Sequence, residues 1–85
     1  MEKVSAEIQM RSGLSLKMAA HIADTAARCN VRGCLVKKDQ NYNIGSVLQM
    51  ASSGINAQDW ITVSCMGTRA EEAMEIFLKI LQEKE

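Results

Sequence analysis

Two stretches of strict alternation, one near the start of the chain and one in its second half, most constrain what it can fold into. Val4, Ala6, Ile8 and Met10 alternate with Lys3, Ser5, Glu7 and Gln9, and Ile61, Val63 and Cys65 alternate with Trp60, Thr62 and Ser64. A period of two puts all apolar members on one side of a strand and all polar members on the other, so each segment predicts a half-buried strand. The second ends at Gly67.

Between and after these strands the period changes. Arg11-Ser12-Gly13 breaks the first pattern, and Leu16 to Arg28 is rich in Leu, Met and Ala at helical spacing, with Leu16, Ala19, Ala20, Ala23, Ala26 and Ala27 as the expected buried side. Asn30 to Gly33 closes that helix. Cys34 to Lys38 reads as a short strand, Asp39-Gln40-Asn41 as a turn, and Tyr42-Asn43 as the return strand of a hairpin. Ser46-Val47-Leu48-Gln49 has the S-x-x-Q form of a capping box, predicting a helix from Val47 to about Ser52. Thr68-Arg69-Ala70-Glu71 predicts a second box, followed by a stripe of Ala70, Ala73, Met74, Phe77, Ile80 and Leu81 with a Glu75–Lys79 pair on the wet face.

The resulting order, β-α-β-β-α-β-α, predicts an α+β fold: a four-stranded antiparallel sheet with helices on one face, spanning residues 1–85 as a single domain. A chain of 85 residues has room for one modest core. Ten Lys and Arg against ten Asp and Glu leave no net charge, which argues against nucleic-acid binding. No apolar run approaches the roughly 20 residues that span a bilayer, and Met1-Glu2-Lys3-Val4 starts no signal peptide, so a cytoplasmic protein without membrane attachment is expected. Cys29, Cys34 and Cys65 form no C-x-x-C pair, and with the single His21 they match no metal-site spacing. Reduced cysteines with packing roles, no metal and no cofactor are the expectation. Trp60 is read as a packing residue at the exposed phase of its strand, and the methionines as gap-fillers of a small core.

Over nearly its full length, without gaps, the chain resembles the HPr family, the histidine-containing phosphocarriers of the phosphoenolpyruvate-dependent sugar phosphotransferase system. The residues that carry the resemblance are Ser12-Gly13-Leu14, Ala19-Ala20, Asn43, Ser46, Ser52, Gly54, Ile61-Thr62-Val63-Ser64, Gly67 and Ala73. It implies an open-faced β-sandwich and a protein that is not itself an enzyme. In the family the loop into the first helix reads G-[LI]-H-x-R-P-A, where this chain has Gly13-Leu14-Ser15-Leu16-Lys17-Met18-Ala19. Ser15 therefore stands at the carrier-histidine position, Lys17 at the arginine and Met18 at the proline. A seryl ester holds phosphate at much lower transfer potential than a phosphorylated imidazole, so Ser15 would not relay it. Lys17 keeps the charge but not the planar fork of arginine.

Ser46 matches the position phosphorylated in many family members, and in the histidine-lacking Crh branch, by HPr kinase/phosphorylase. The resemblance thus implies a regulatory protein of carbon catabolite control, with protein partners such as that kinase, a LacI-type transcriptional regulator or other phosphotransferase-system proteins. A partner surface of Leu16, Lys17, His21, Val47, Leu48 and Met50 is expected. Two other readings stand beside it: a carrier with an unusual acceptor, Ser15 or His21, and an unmodified interaction domain whose surface is Leu16, Met18, His21 and Leu48.

Overall fold

The computed structural model describes residues 2–83. The elements run β1 (Glu2–Gln9), α1 (Leu16–Cys29), β2 (Arg32–Lys37), β3 (Gln40–Asn43), α2 (Val47–Ala51), β4 (Trp60–Gly67) and α3 (Ala70–Leu81). All strand pairs are antiparallel, in the order β1-β4-β2-β3. The alternation of β1 and β4 is in phase: Val4 lies opposite Cys65, Ala6 opposite Val63 and Ile8 opposite Ile61. Leu35 of β2 extends the Val63 row. These side chains form one wall of a core that α1 and α3, packed on each other, close from the other side. The fold is α+β, as the sequence predicts.

The stripe of α3 is buried as expected, with Phe77, the chain's one phenylalanine, fully enclosed. The buried side of α1 is different from the expected one. It consists of Met18, Ala19, Ile22, Thr25, Ala26 and Cys29, while Leu16, Ala20 and Ala27 face solvent and Ala23 is half-buried. Both sets obey helical spacing. Met18 and Ile22 remove far more apolar area from water than alanine does, so the helix is rotated to bury them.

The start of α3 also departs from expectation. Its N-cap is Arg69, with no side-chain cap, so Thr68-Arg69-Ala70-Glu71 makes no capping box. Arg69 instead grips Glu72 through two bonds, Nε–Oε1 at 3.1 Å and Nη2–Oε2 at 2.7 Å, and donates a third to the Arg28 carbonyl at 3.2 Å. This ties the end of α1 to the start of α3 and holds the Glu72 carboxyl below its usual range. Glu71 and Glu72 oppose the positive end of the helix in place of a cap. Glu75 and Lys79 do not pair within ion-pair distance.

Cys29, Cys34 and Cys65 are free thiols. Cys29 and Cys65 are buried, and burial pushes the Cys65 thiol up. Cys34 is half-buried on the solvent-facing side of the sheet, in register with Ser64 and Asn43. A maleimide-type reagent should therefore modify Cys34 first, with Cys29 and Cys65 reacting only after denaturant is added. Peptide mapping of the partly labelled protein checks this. Among the described residues no helix is long and apolar enough to cross a membrane, and no cluster of three or more His, Cys, Asp or Glu side chains is placed to hold a metal ion.

Candidate functional site

Ser15 and Ser46 occupy equivalent places on two helices that pack against each other. Ser15 is the N-cap of α1: its backbone is extended, and its Oγ accepts the Met18 N–H at 3.1 Å. The residue before it is fixed as well, because the Leu14 N–H donates to the Ile55 carbonyl at 3.0 Å. Ser46 is the N-cap of α2, its Oγ accepting the Gln49 N–H at 3.2 Å. α1 and α2 are in contact.

The Ser46 cap is only half of a capping box. The Gln49 side chain does not reach back to the Ser46 N–H; its Oε1 accepts the Asn43 N–H at 3.0 Å. Ser46 N–H goes to the Asn43 carbonyl at 3.0 Å, and Asn43 Oδ1 accepts the Gly45 N–H at 2.7 Å. Asn43 thus builds the turn into α2, a role that sequence reading assigned only to the return strand; an Asn two residues before a Gly was the available signal.

Around these serines the side chains divide sharply. Leu16 is 64% exposed and Leu48 79% exposed, and Lys17 and His21 are also on the surface. Val47 is half-buried. Met50, expected at this surface, is fully buried, and Met18 is only 2% exposed. Both are core residues. Each lies on the inward face of its helix, where a flexible apolar side chain fills space that its neighbours leave. The exposed patch is therefore Leu16, Lys17, His21 and Leu48 with the edge of Val47, smaller and less methionine-rich than the sequence suggests.

A further group was not anticipated. Lys37 Nζ pairs with Asp59 Oδ2 at 2.7 Å and donates to the Gly54 carbonyl at 3.0 Å. Asp59 Oδ2 also accepts the Asn56 N–H at 2.7 Å. These bonds tie the 54–59 loop to β2, and that loop holds the segment leading to Ser15 through Leu14–Ile55, Met10–Asp59 and Gln58–Met10 backbone bonds. The bond from Lys37, then that from Asn56, lowers the Asp59 carboxyl below its ordinary value. A carboxyl depressed in the folded state contributes stability above its unfolded value of about 3.9, and loses it as the pH falls through the folded value. Lys37→Met should accordingly lower Tm near neutral pH. The gap from wild type should narrow as the pH falls below about 3.9, a pattern that thermal melts at several pH values would show.

A family model described as the PTS HPr component phosphorylation site matches residues 3–83. The chain belongs to the HPr family. Among solved structures, the phosphocarrier protein HPr of Bacillus anthracis superposes with a TM-score of 0.83 at 26% identity, over 96% of this chain and 100% of its own. HPr-C-His of Thermoanaerobacter tengcongensis gives 0.76 at 25% identity, over 95% and 91%. Crh of Bacillus subtilis, a catabolite repression protein whose structure is a domain-swapped dimer, gives 0.73 at 22% identity over 95% and 93%, a likeness of fold. No curated protein matches the chain. HPr-family proteins are phosphocarriers that work with other phosphotransferase-system proteins and are not catalysts.

Proposed function

We propose that this HPr-family chain is a regulatory protein, switched by phosphorylation at Ser46, and not a phosphocarrier. The observation that carries the proposal is the pairing of each helix-start serine with an exposed leucine, Ser15 with Leu16 and Ser46 with Leu48, on two helices in contact. Two leucines of this exposure on adjoining helices, each beside a modifiable hydroxyl, suit a docking surface whose charge can be changed. A phosphate on Ser46 adds about −1.5 to −2 charge beside Leu48 and leaves the core untouched. Lys17 supplies a positive group at the start of α1.

Ser15 stands where the family carries its histidine. Its ester would be stable rather than transferable. His21 is exposed on the second turn of α1, past the free amides of the helix start. The partners the reading implies are HPr kinase/phosphorylase, a LacI-type regulator and other phosphotransferase-system proteins, in the cytoplasm, with residues 1–85 acting as one domain.

Two parallel incubations test this, one with HPr kinase and ATP and one with phosphoenolpyruvate and the first phosphotransferase enzyme, each read by intact mass and phosphosite mapping. The expected result is one acid-stable phosphate on Ser46 in the kinase arm, lost in Ser46→Ala, and none in the other. Acid-labile phosphate in the second arm would overturn the claim that carrier function is gone, and silence in the kinase arm would overturn the switch.

A further inference from the structure

β1 is the outermost strand of the sheet beyond β4, so alternate peptides along Glu2–Gln9 direct their N–H and C=O groups away from any neighbour. Two of the devices that blunt such an edge, a bulge and a proline, are missing, and the charges on it are of mixed sign. Pairing with β4 is continuous from Glu2–Gly67 to Gln9–Trp60, with no bulge, and the chain contains no proline. Among the described residues, no backbone group of Glu2–Gln9 bonds to anything outside the sheet.

The charges on this edge are complementary to their own reverse. On the solvent-facing side β1 carries, in order, Lys3, Ser5, Glu7 and Gln9. If a second copy of β1 is laid antiparallel and centred on Ser5, Lys3 of each copy faces Glu7 of the other and Ser5 faces Ser5. On the inner side Val4 faces Ala6, both half-buried at the sheet edge and able to be covered further. A shift of two residues either way places Lys3 opposite Ser5 or Gln9 and removes both charge pairs. A shift of one would turn the apolar side chains to the wrong face.

We propose that β1 is a self-association surface, joining two copies of this chain edge to edge about a two-fold axis into one eight-stranded sheet, with the two Lys3–Glu7 pairs setting the register. The contact is isologous and closed, so it stops at a dimer. It lies on the sheet edge and uses neither Ser15 nor Ser46, so it stands independently of the proposed switch.

Sedimentation equilibrium at low salt, from about 10 μM to about 1 mM, reads the association, a range suited to a contact made mainly by main-chain bonds. Lys3→Glu and Glu7→Lys should each weaken dimerisation at least about tenfold, since each replaces two opposite-charge pairs by two like-charge pairs. The double variant Lys3→Glu/Glu7→Lys should restore it to within about threefold. Both side chains are exposed, so unchanged far-ultraviolet dichroism will confirm that the variants fold. Monomer at every concentration overturns the proposal, and so does a dimer indifferent to the charge changes. Indifference is what exchange of β1 between copies would give, because across β4 Lys3 faces Met66 and Glu7 faces Thr62, neither of them charged.

Discussion

Gly33→Ala should cost the protein most of its stability, although the change adds a single methyl group. Gly33 sits in β2 opposite Cys65 of β4, and a Cβ built on it would lie 1.8 Å from the Ser64 carbonyl oxygen and 2.7 Å from the Cys65 Cα. Both obstacles are backbone, so no side-chain rotation relieves the clash. β4 is also the strand that joins β1 to β2 and β3, and pushing it away opens the sheet in the middle. A domain of this size has roughly 4–13 kcal/mol of total stability, and an overpacked central backbone contact belongs to the few mechanisms that cost about 4 kcal/mol or more. Urea titration followed by Trp60 fluorescence should find Gly33→Ala largely unfolded in buffer. A variant melting within a few degrees of wild type would mean that the two strands can separate at this point without loss. Gly67→Ala provides the graded comparison. There the nearest atoms stand at 3.0 Å, the Asn30 oxygen and Val31 Cγ1, and φ is 152°, so a measurable but smaller loss is expected.

Gly33 also shows which part of the fold was legible in the sequence. The strands β1 and β4 and the helix α3 could be read residue by residue because their apolar spacing is unambiguous and their burial follows it. β2 could not, because Arg32, Gly33 and Cys34 carry no alternation; the strand begins at Arg32, two residues before the expected start, since pairing with Met66 and Cys65 fixes it from outside. β3 likewise starts at Gln40 because Lys38 takes the left-handed turn conformation, with φ 56°, and Gln40 pairs with Lys37. The face of α1 was misjudged where several alanines and two larger side chains offered competing stripes of equal periodicity. At the candidate site, the Ser46 cap was legible because capping is local. Met18 and Met50 were not, because a methionine next to a functional position carries no sign of which way it points. The Lys37–Asp59 pair spans a separation that no local pattern encodes, and it emerges only once the sheet brings β2 beside the 54–59 loop.

On the proposed reading, replacing Ser15 by histidine should let the chain take an acid-labile phosphate from phosphoenolpyruvate through the first phosphotransferase enzyme. The geometry of α1 suits serine and methionine together at the two positions that the resemblance aligns with the family's histidine and proline. In H-x-R-P the first residue lacks a hydroxyl to accept the cap bond and the last lacks an N–H to donate one, whereas here Ser15 Oγ and the Met18 N–H supply both, 3.1 Å apart. Serine with methionine and histidine with proline are thus two self-consistent ways of starting the same helix. Ser15→His alone orphans the Met18 N–H, costing about 1 kcal/mol and lowering Tm by roughly 4–8 °C. The imidazole gains what the hydroxyl lacks, a nucleophilic nitrogen unprotonated at neutral pH with an unperturbed pKa of about 6.5. In the net transfer the P–O bond of phosphoenolpyruvate breaks, an N–P bond forms on the ring, a ring proton is released and the departing enolate is protonated to pyruvate. Adding Met18→Pro removes the orphan donor, but Met18 is 2% exposed and its loss leaves a cavity, so the double variant should be less stable than Ser15→His alone. Mass analysis before and after mild acid reads the outcome. If Ser15→His takes no phosphate while a carrier HPr in the same mixture does, the histidine alone does not account for the lost function, and Lys17 and the apolar Leu16 must block the donor enzyme themselves.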